Sequence, residues 1–276
     1  MPAPVVPFKQ IFSKASWGVG IVVAACVLAG CANVPAAVAP EAVPGSAAES
    51  EVHRLAKTRL QLAALHLEEG RAEVALGEVA QALQVYPRYV DAYNLQGWIY
   101  LSLQDTKNAH QSFSQALALR PNDADALYNL GWLQCQQKQF ASADRHFEAA
   151  LEAPRSTGQS VARLWLAKGV CLDQAGQSVP ALQALEKAHE IEPGNPAVAY
   201  NFAQALHKQG QSERARFYVR RLNNGQWSSA ESLWLGVKVE RRLGDRVAMR
   251  QLADQLHKRF PDSKEWQWFE QGKFDD

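Results

Sequence analysis

The chain has 276 residues, of which 47% are apolar and 21% are charged, a composition typical of a globular protein rather than a disordered one. Lys and Arg number 29 against 28 Asp and Glu. This balance argues against a domain that coats nucleic acid and against a polybasic membrane-surface binder, since both need a clear basic excess. Four cysteines with no CxxC pair are too few for a disulfide scaffold and exclude a zinc ribbon.

Residues 1–30 are predicted to be a signal peptide. Lys9 and Lys14 precede an uncharged apolar run at residues 17–28, and no acidic residue occurs before residue 31. A basic segment followed by a short apolar segment is typical of a secretory signal. The alternative is an uncleaved anchor, but a spanning helix needs a longer run of about 18–20 apolar residues.

The apolar run ends on Leu28-Ala-Gly-Cys31, which resembles the lipobox of bacterial lipoproteins. The resemblance implies that Cys31 carries a diacylglyceryl thioether and, after cleavage, an acylated amine. Two or three chains give durable membrane anchoring. Ala32, in place of Asp, implies sorting to the outer membrane. Cys26 ends a weaker match, because cleavage there would leave only a few apolar residues.

Residues 31–50 are predicted to be a flexible Ala/Pro-rich tether. Residues 32–50 contain three prolines and no helical apolar stripe. A semi-extended segment of this length reaches roughly 60 Å at about 3.1 Å per residue.

Residues 51–262 repeat with a period of 34. Pro87 and Pro121 are 34 residues apart, and Pro193 follows after two periods plus about four residues, an insertion that we place at residues 154–160. Each unit has a small residue, a second small residue about twelve positions later, and a large apolar residue four positions after that. The sets are Ala63/Ala75/Val79, Gly97/Ala109/Phe113, Gly131/Ala143/Phe147, Gly169/Ala181/Leu185, Ala203/Ala215/Val219 and Gly236/Ala248/Leu252.

This pattern resembles the tetratricopeptide repeat. The resemblance implies two antiparallel helices per unit, and therefore an all-α, right-handed superhelical solenoid of six tetratricopeptide repeats with about 12–13 helices. An all-α bundle with coincidental spacing is the alternative. The approximate units are 56–89, 90–123, 124–161, 162–195, 196–228 and 229–262. Glycine occupies the turn inside four units, whereas Gln104 and Lys138 occupy it in the second and third units.

The C-terminal segment, residues 263–276, contains Trp266, Trp268, Phe269 and Phe274. An array of repeats needs a cap over its last open face, so we predict a capping helix followed by a ragged acidic end. The alternative is an exposed aromatic docking patch.

No catalytic or cofactor-binding pattern occurs in the chain. HExxH, GxSxG, Walker A and GxGxxG motifs are absent. His66 with Glu68 and Glu69 is the nearest metal-like group, but these three positions do not share one helix face. We therefore predict that the protein is not an enzyme and takes no metal, cofactor or small-molecule substrate.

Cys135 and Cys171 lie late in the first helices of units 3 and 4. Because first helices of neighbouring repeats pack side by side, the two sulfurs could meet, and an exported protein enters an oxidising compartment. We favour a disulfide, which would contribute about 3–4 kcal/mol on the loop-entropy model. Two reduced, buried thiols are the alternative.

The inner face of each first helix is the usual ligand surface of this repeat. Trp98, Tyr128 and Trp132 provide apolar faces with a polar edge, a composition suited to a binding hot spot. Asn129 and Asn201 stand where this repeat often bonds a peptide backbone. The basic clamp for acidic C-termini is absent. The predicted contacts are Asp91, Asn94, Trp98, Asp125, Tyr128, Asn129, Trp132, Leu166, Val170, Tyr200, Asn201 and Gln204.

Two segments resemble a narrower family: residues 126–135 and, most specifically, residues 228–245 with 255–263. Together with the lipobox, tether, six repeats and two central cysteines, they resemble the type IV pilus biogenesis lipoproteins of the PilF/PilW family. The resemblance implies a pilotin that binds secretin subunits, carries them to the outer membrane and assists ring assembly. Two alternatives stay open: a periplasmic scaffold lipoprotein organising another envelope or cell-wall complex, and an enzyme with its site in the tail or between repeats.

Overall fold

A computed structural model of the chain describes residues 46–154 and 161–274, with side chains from residue 51 onward. Every regular element among these residues is a helix, and the predicted all-α class is confirmed. The thirteen helices are α1 (Ser46–Glu68), α2 (Ala72–Val85), α3 (Val90–Ser102), α4 (Thr106–Leu119), α5 (Ala124–Gln136), α6 (Phe140–Glu152), α7 (Val161–Gln174), α8 (Ser178–Ile191), α9 (Pro196–Lys208), α10 (Ser212–Asn223), α11 (Ala230–Arg242), α12 (Arg246–Arg259) and α13 (Lys264–Glu270).

The chain forms two compact units, one ending at Leu95 and the other beginning at Gln96. In the first unit α1 packs against α2, and the Arg59 guanidinium donates to Glu78 across them at 2.9 Å. Helix α1 begins at Ser46, inside the segment 31–50 predicted to be a tether, because Ala and Glu residues after Ser46 favour helix. The predicted signal peptide and the rest of the tether lie outside the described residues.

Close approach of helices inside each repeat explains the small residues of the sequence pattern. In the second unit, a Cβ added to Gly97 would lie 2.3 Å from the ring of Phe113, whose side chain is completely buried. A Cβ on Gly169 would lie 2.6 Å from Leu185. The first helix of each of these repeats therefore needs glycine to pack against the large residue on the second helix.

The turns inside the repeats use left-handed backbone conformations. Gly176, for example, has φ +76°, which costs glycine little. Gln104 and Lys138 stand at the equivalent turns of the second and third repeats, and each adopts φ 60° without glycine's freedom. The chain holds these two turns at a conformational cost of about 1 kcal/mol each.

A buried ionic cluster joins the fifth and sixth repeats. Glu240 of α11 is 1% exposed and accepts hydrogen bonds from two arginines of α10. The shortest contact to Arg216 is 2.6 Å and the ion-pair contact to Arg220 is 3.0 Å. Hydrogen bonding to Glu240 raises the pKa of Arg216. The carboxylate is thus fully paired where water cannot reach it.

Helix α13 packs against α11 and α12. Trp234 of α11 stacks on Phe274 with ring centroids 5.3 Å apart, and Trp266 stacks on Phe269 at the same separation. All four aromatic residues of the predicted cap are half-buried in this cluster, which is the packing that a cap requires. Asp275 and Asp276 lie outside the described residues.

None of the described helices has both the length and the apolar character needed to cross a membrane.

Candidate functional site

The first helices of successive repeats lie side by side in the second unit, with α5 against α7, α7 against α9, and α9 against α11. Trp132 follows Tyr128 by four residues, Val170 follows Leu166, and Gln204 follows Tyr200, so each pair shares a helix face. Five half-buried side chains along these helices and α3 form what we call the A-helix surface: Trp98, Trp132, Val170, Tyr200 and Gln204.

Two tryptophans rest on a rigid base. Trp98 and Trp132 both pack against the buried cluster that contains Cys135 and Cys171. These cysteines, singled out in the sequence, are joined by a disulfide between α5 and α7, with Cα atoms 5.7 Å apart. The covalent link holds α5 and α7 together within this cluster, which reduces the backbone freedom that would be lost when a partner covers the indoles.

Tyr128 lies beneath a cation rather than on an open face. Its ring is 7% exposed, and the Arg163 guanidinium lies 4.5 Å above the ring centroid. Arg163 also approaches Asp125 at 3.8 Å. Burial raises the pKa of Tyr128, so its phenol is neutral at pH 7. Arg163 therefore covers this predicted contact and presents a cation in its place.

The α9 part of the surface is polar but uncharged. Tyr200 is half-buried, and burial together with Glu231 and Glu265 raises its pKa to about 12. The neutral phenol is a hydrogen-bond donor and acceptor at pH 7. Leu166 is 6% exposed and packs in the core beneath the surface rather than on it.

The asparagines predicted to bond a peptide backbone are less accessible than the sequence indicated. Asn129 is 3% exposed, and the Nδ2 of Asn201 donates to the Ala197 carbonyl within its own helix at 2.8 Å. Asn201 follows Tyr200 of the A-helix surface by one residue, a step of about 100° that turns its side chain off that face, whereas Asn129 follows Tyr128, which is itself buried. Asn94, in the first unit, is also buried at 8% exposure.

Charged residues beside the surface were missed in the sequence. Arg163 was one. It follows Asp125 by one period plus four residues, the size of the insertion, and this spacing could have indicated that the two residues occupy equivalent positions in neighbouring repeats. Asp173 and Lys208 were two more, and they form an ion pair of 2.5 Å between α7 and α9. Because these charged groups pair with one another, aromatic rings and amides are the main groups that the surface offers to a partner.

Nothing among the described residues groups three metal-binding side chains. His66 and Glu69 were weighed in the sequence as part of a metal-like group, and Nδ1 of His66 lies 3.7 Å from a carboxylate oxygen of Glu69.

Comparisons with known proteins agree with this architecture. Models described as tetratricopeptide repeat match residues 60–109, 136–196 and 172–226, and one described as TPR repeat matches residues 97–138. Together the matches run from residue 60 to residue 226, more than half of the chain.

Similar proteins come from type IV pilus systems. The type IV pilus assembly protein PilF of Pseudomonas aeruginosa is 27% identical over 215 residues, covering 78% of this chain and 84% of PilF. The crystal structure of PilW, described as a widely conserved type IV pilus biogenesis factor, has a TM-score of 0.72 and 27% identity over 78% of this chain and 98% of PilW. The structure of P. aeruginosa PilF has a TM-score of 0.70 at 24% identity, covering 81% of this chain and all of PilF, a likeness of fold.

Proposed function

Because the chain belongs to the tetratricopeptide repeat family and is similar along most of its length to PilF and PilW, we propose that it acts in type IV pilus biogenesis as a pilotin. In this role it binds secretin subunits and brings them to the outer membrane, where they assemble into the ring. The role makes and breaks no covalent bond and takes no cofactor.

The A-helix surface is the proposed docking site for a secretin segment. Its half-exposed indoles, Trp98 and Trp132, rest on the disulfide-linked cluster and supply the rigid aromatic anchors that dominate binding energy at interfaces. Tyr200 and Gln204 add neutral hydrogen-bonding groups farther along. This arrangement is the observation that carries the proposal.

The lipobox supplies the second part of the proposed mechanism. Acyl chains on Cys31 hold the protein at the inner leaflet of the outer membrane, facing the periplasm, and the predicted Ala/Pro-rich tether gives it reach. Secretin subunits captured on one membrane meet at a high effective concentration, which favours multimerisation without any further contact.

The docking site is tested by the double substitution Trp98→Ala with Trp132→Ala, with Phe217→Ala as control because Phe217 is 63% exposed on α10, away from the surface. Secretin multimers in isolated envelopes and surface pili should fall strongly in the double variant and stay unchanged in the control. Circular dichroism checks that the variant remains folded. Multimers and pili at wild-type levels in the folded double variant would show that the surface is the wrong site.

The anchor is tested by Cys31→Ala. The variant should fold normally but no longer fractionate with the outer membrane, and retained outer-membrane fractionation would contradict the anchor. If deletion of the protein leaves secretin rings and pili intact, it instead serves another envelope complex as a scaffold.

A further inference from the structure

A cavity of about 170 Å³ lies where the end of α8, the start of α9, α10 and the α10–α11 connection meet, and none of its lining residues belongs to the A-helix surface. The rings of His189 and Tyr218, 4.9 Å apart and edge to face, form its floor. Both rings pack on Phe202, which is 1% exposed, at centroid distances of 5.3 and 5.0 Å. Because a buried ring fixes them, this floor exists before any ligand arrives.

The walls are rigid and apolar. Pro193 and Pro196 form one side, and Trp227, in the α10–α11 connection, forms another. The indole of Trp227 is 54% exposed. A large exposed tryptophan beside a preformed cavity is the kind of residue that contributes most to binding when a partner covers it.

A cation stands at the same cavity. Arg221 lines it, is exposed, and has no carboxylate partner in the described part of the chain, whereas its neighbour Arg220 binds Glu240. The stretch that lines the cavity, residues 189–227, contains 5 Lys and Arg against 3 Asp and Glu, a small basic excess. An arginine fork held next to an aromatic wall suits a carboxylate that follows an apolar side chain.

The floor also has an unused hydrogen-bonding atom. Nδ1 of His189 is buried and has no hydrogen-bond partner among the described residues. Burial, followed by the charge of Arg221, lowers the pKa of His189 although Glu186 and Glu190 oppose the shift. The imidazole is therefore neutral at pH 7, so Arg221 is the cation that this cavity offers to a ligand.

From the aromatic floor, the Trp227 wall and the free Arg221, we propose that this cavity is a second protein-binding site. It accepts an acidic, extended segment of a partner, which places one aromatic side chain between Trp227 and Tyr218 and an adjacent carboxylate on Arg221. The site is independent of secretin docking on the A-helix surface, and it gives the array two separate contacts for neighbours in an assembly.

The probe is a fluorescein-labelled peptide of sequence GSEDFEDSG, titrated with the full chain in detergent and followed by fluorescence polarisation. Two matched peptides replace the acidic residues with lysine or the phenylalanine with alanine. The acidic phenylalanine peptide should bind saturably and at least about tenfold more tightly than either control peptide. In NMR spectra it should shift the Trp227 indole N–H.

Arg221→Glu and Trp227→Ala should each weaken binding about tenfold or more, since each removes one recognition element. Arg250→Glu makes the same charge change on α12, at an exposed residue that does not line the cavity, so it should leave binding within about twofold. No saturable binding, equal binding of the lysine peptide, or equal binding by all three variants would overturn the proposal.

Discussion

At the scale of single residues, the described repeats depend on contacts between a glycine and a large side chain that leave no space for an added Cβ atom. Gly97 lies against Phe113, and the Phe113 ring is buried on every side. The same relation recurs between Gly131 and Phe147, where an added Cβ would lie 3.0 Å from the ring. A methyl group at these positions must displace a fixed aromatic ring.

We therefore expect Gly97→Ala to lower the free energy of unfolding by about 1–3 kcal/mol through overpacking. Gly77→Ala is the matched control: Gly77 also lies within a helix, but nothing lies within 4 Å of its added Cβ. That variant should gain about 0.5–1 kcal/mol from helix propensity. Urea unfolding followed by circular dichroism measures both, and equal effects of the two substitutions would refute the packing argument.

His207 links stability to pH. Burial, followed by the charges of Lys238 and Arg242, lowers its pKa from 6.5 to about 4, and its Nδ1 lies 3.1 Å from the Ser212 hydroxyl. Between these two values the unfolded chain binds more protons than the folded one, so stability is complete above pH 6.5 and declines toward pH 4. His189, whose pKa is also lowered, acts in the same direction.

Urea midpoints measured from pH 7 down to pH 4 should show a shallower decline for His207→Gln than for the wild type. His110→Gln, at an exposed histidine of α4, should keep the wild-type decline. An unchanged slope in His207→Gln would assign the pH dependence to other groups.

At the scale of helices, the α10–α11 contact depends on one buried carboxylate. Removing the charge of Glu240 would leave the partly exposed guanidinium groups of Arg216 and Arg220 facing a buried neutral amide. We expect Glu240→Gln to destabilise the protein by about 2 kcal/mol, the range for hydrogen bonds to a charged group.

Glu213→Gln is the control for this loss, because Glu213 also approaches Arg216, at 3.4 Å, but its side chain is 73% exposed. That variant should lose less than about 1 kcal/mol. Thermal unfolding of the two variants compares their losses of stability. Similar losses would mean that burial does not strengthen the ion pairs of Glu240.

The helices also show what local sequence could predict. The 34-residue spacing identified the helix pairs and the Gly97–Phe113 contact, because close packing restricts which residue types can occupy those positions. The offset of about 100° between Tyr200 and Asn201 could have shown that the two side chains do not share one face. The cation–π contact of Arg163 with Tyr128 depends on how neighbouring repeats align after the insertion, and local pattern does not specify that alignment.

At the scale of the whole molecule, the near-zero net charge does not show that basic residues are distributed unevenly along the chain. The balance of basic and acidic residues argued against a domain that coats nucleic acid, yet residues 212–259 carry a basic excess, and one of these arginines, Arg221, lines the Trp227 cavity. That cavity involves α8, α9, α10 and a connection, so its residues are distant in sequence and share no repeat position. Only the packed structure brings them together.

The most direct test of the central claim is a binding titration between the purified chain and the purified periplasmic part of the secretin from the same organism. The account predicts saturable binding that Trp98→Ala with Trp132→Ala weakens at least about tenfold and that Phe217→Ala leaves unchanged. No binding by the wild-type chain, or equal binding by the folded double variant, would contradict it.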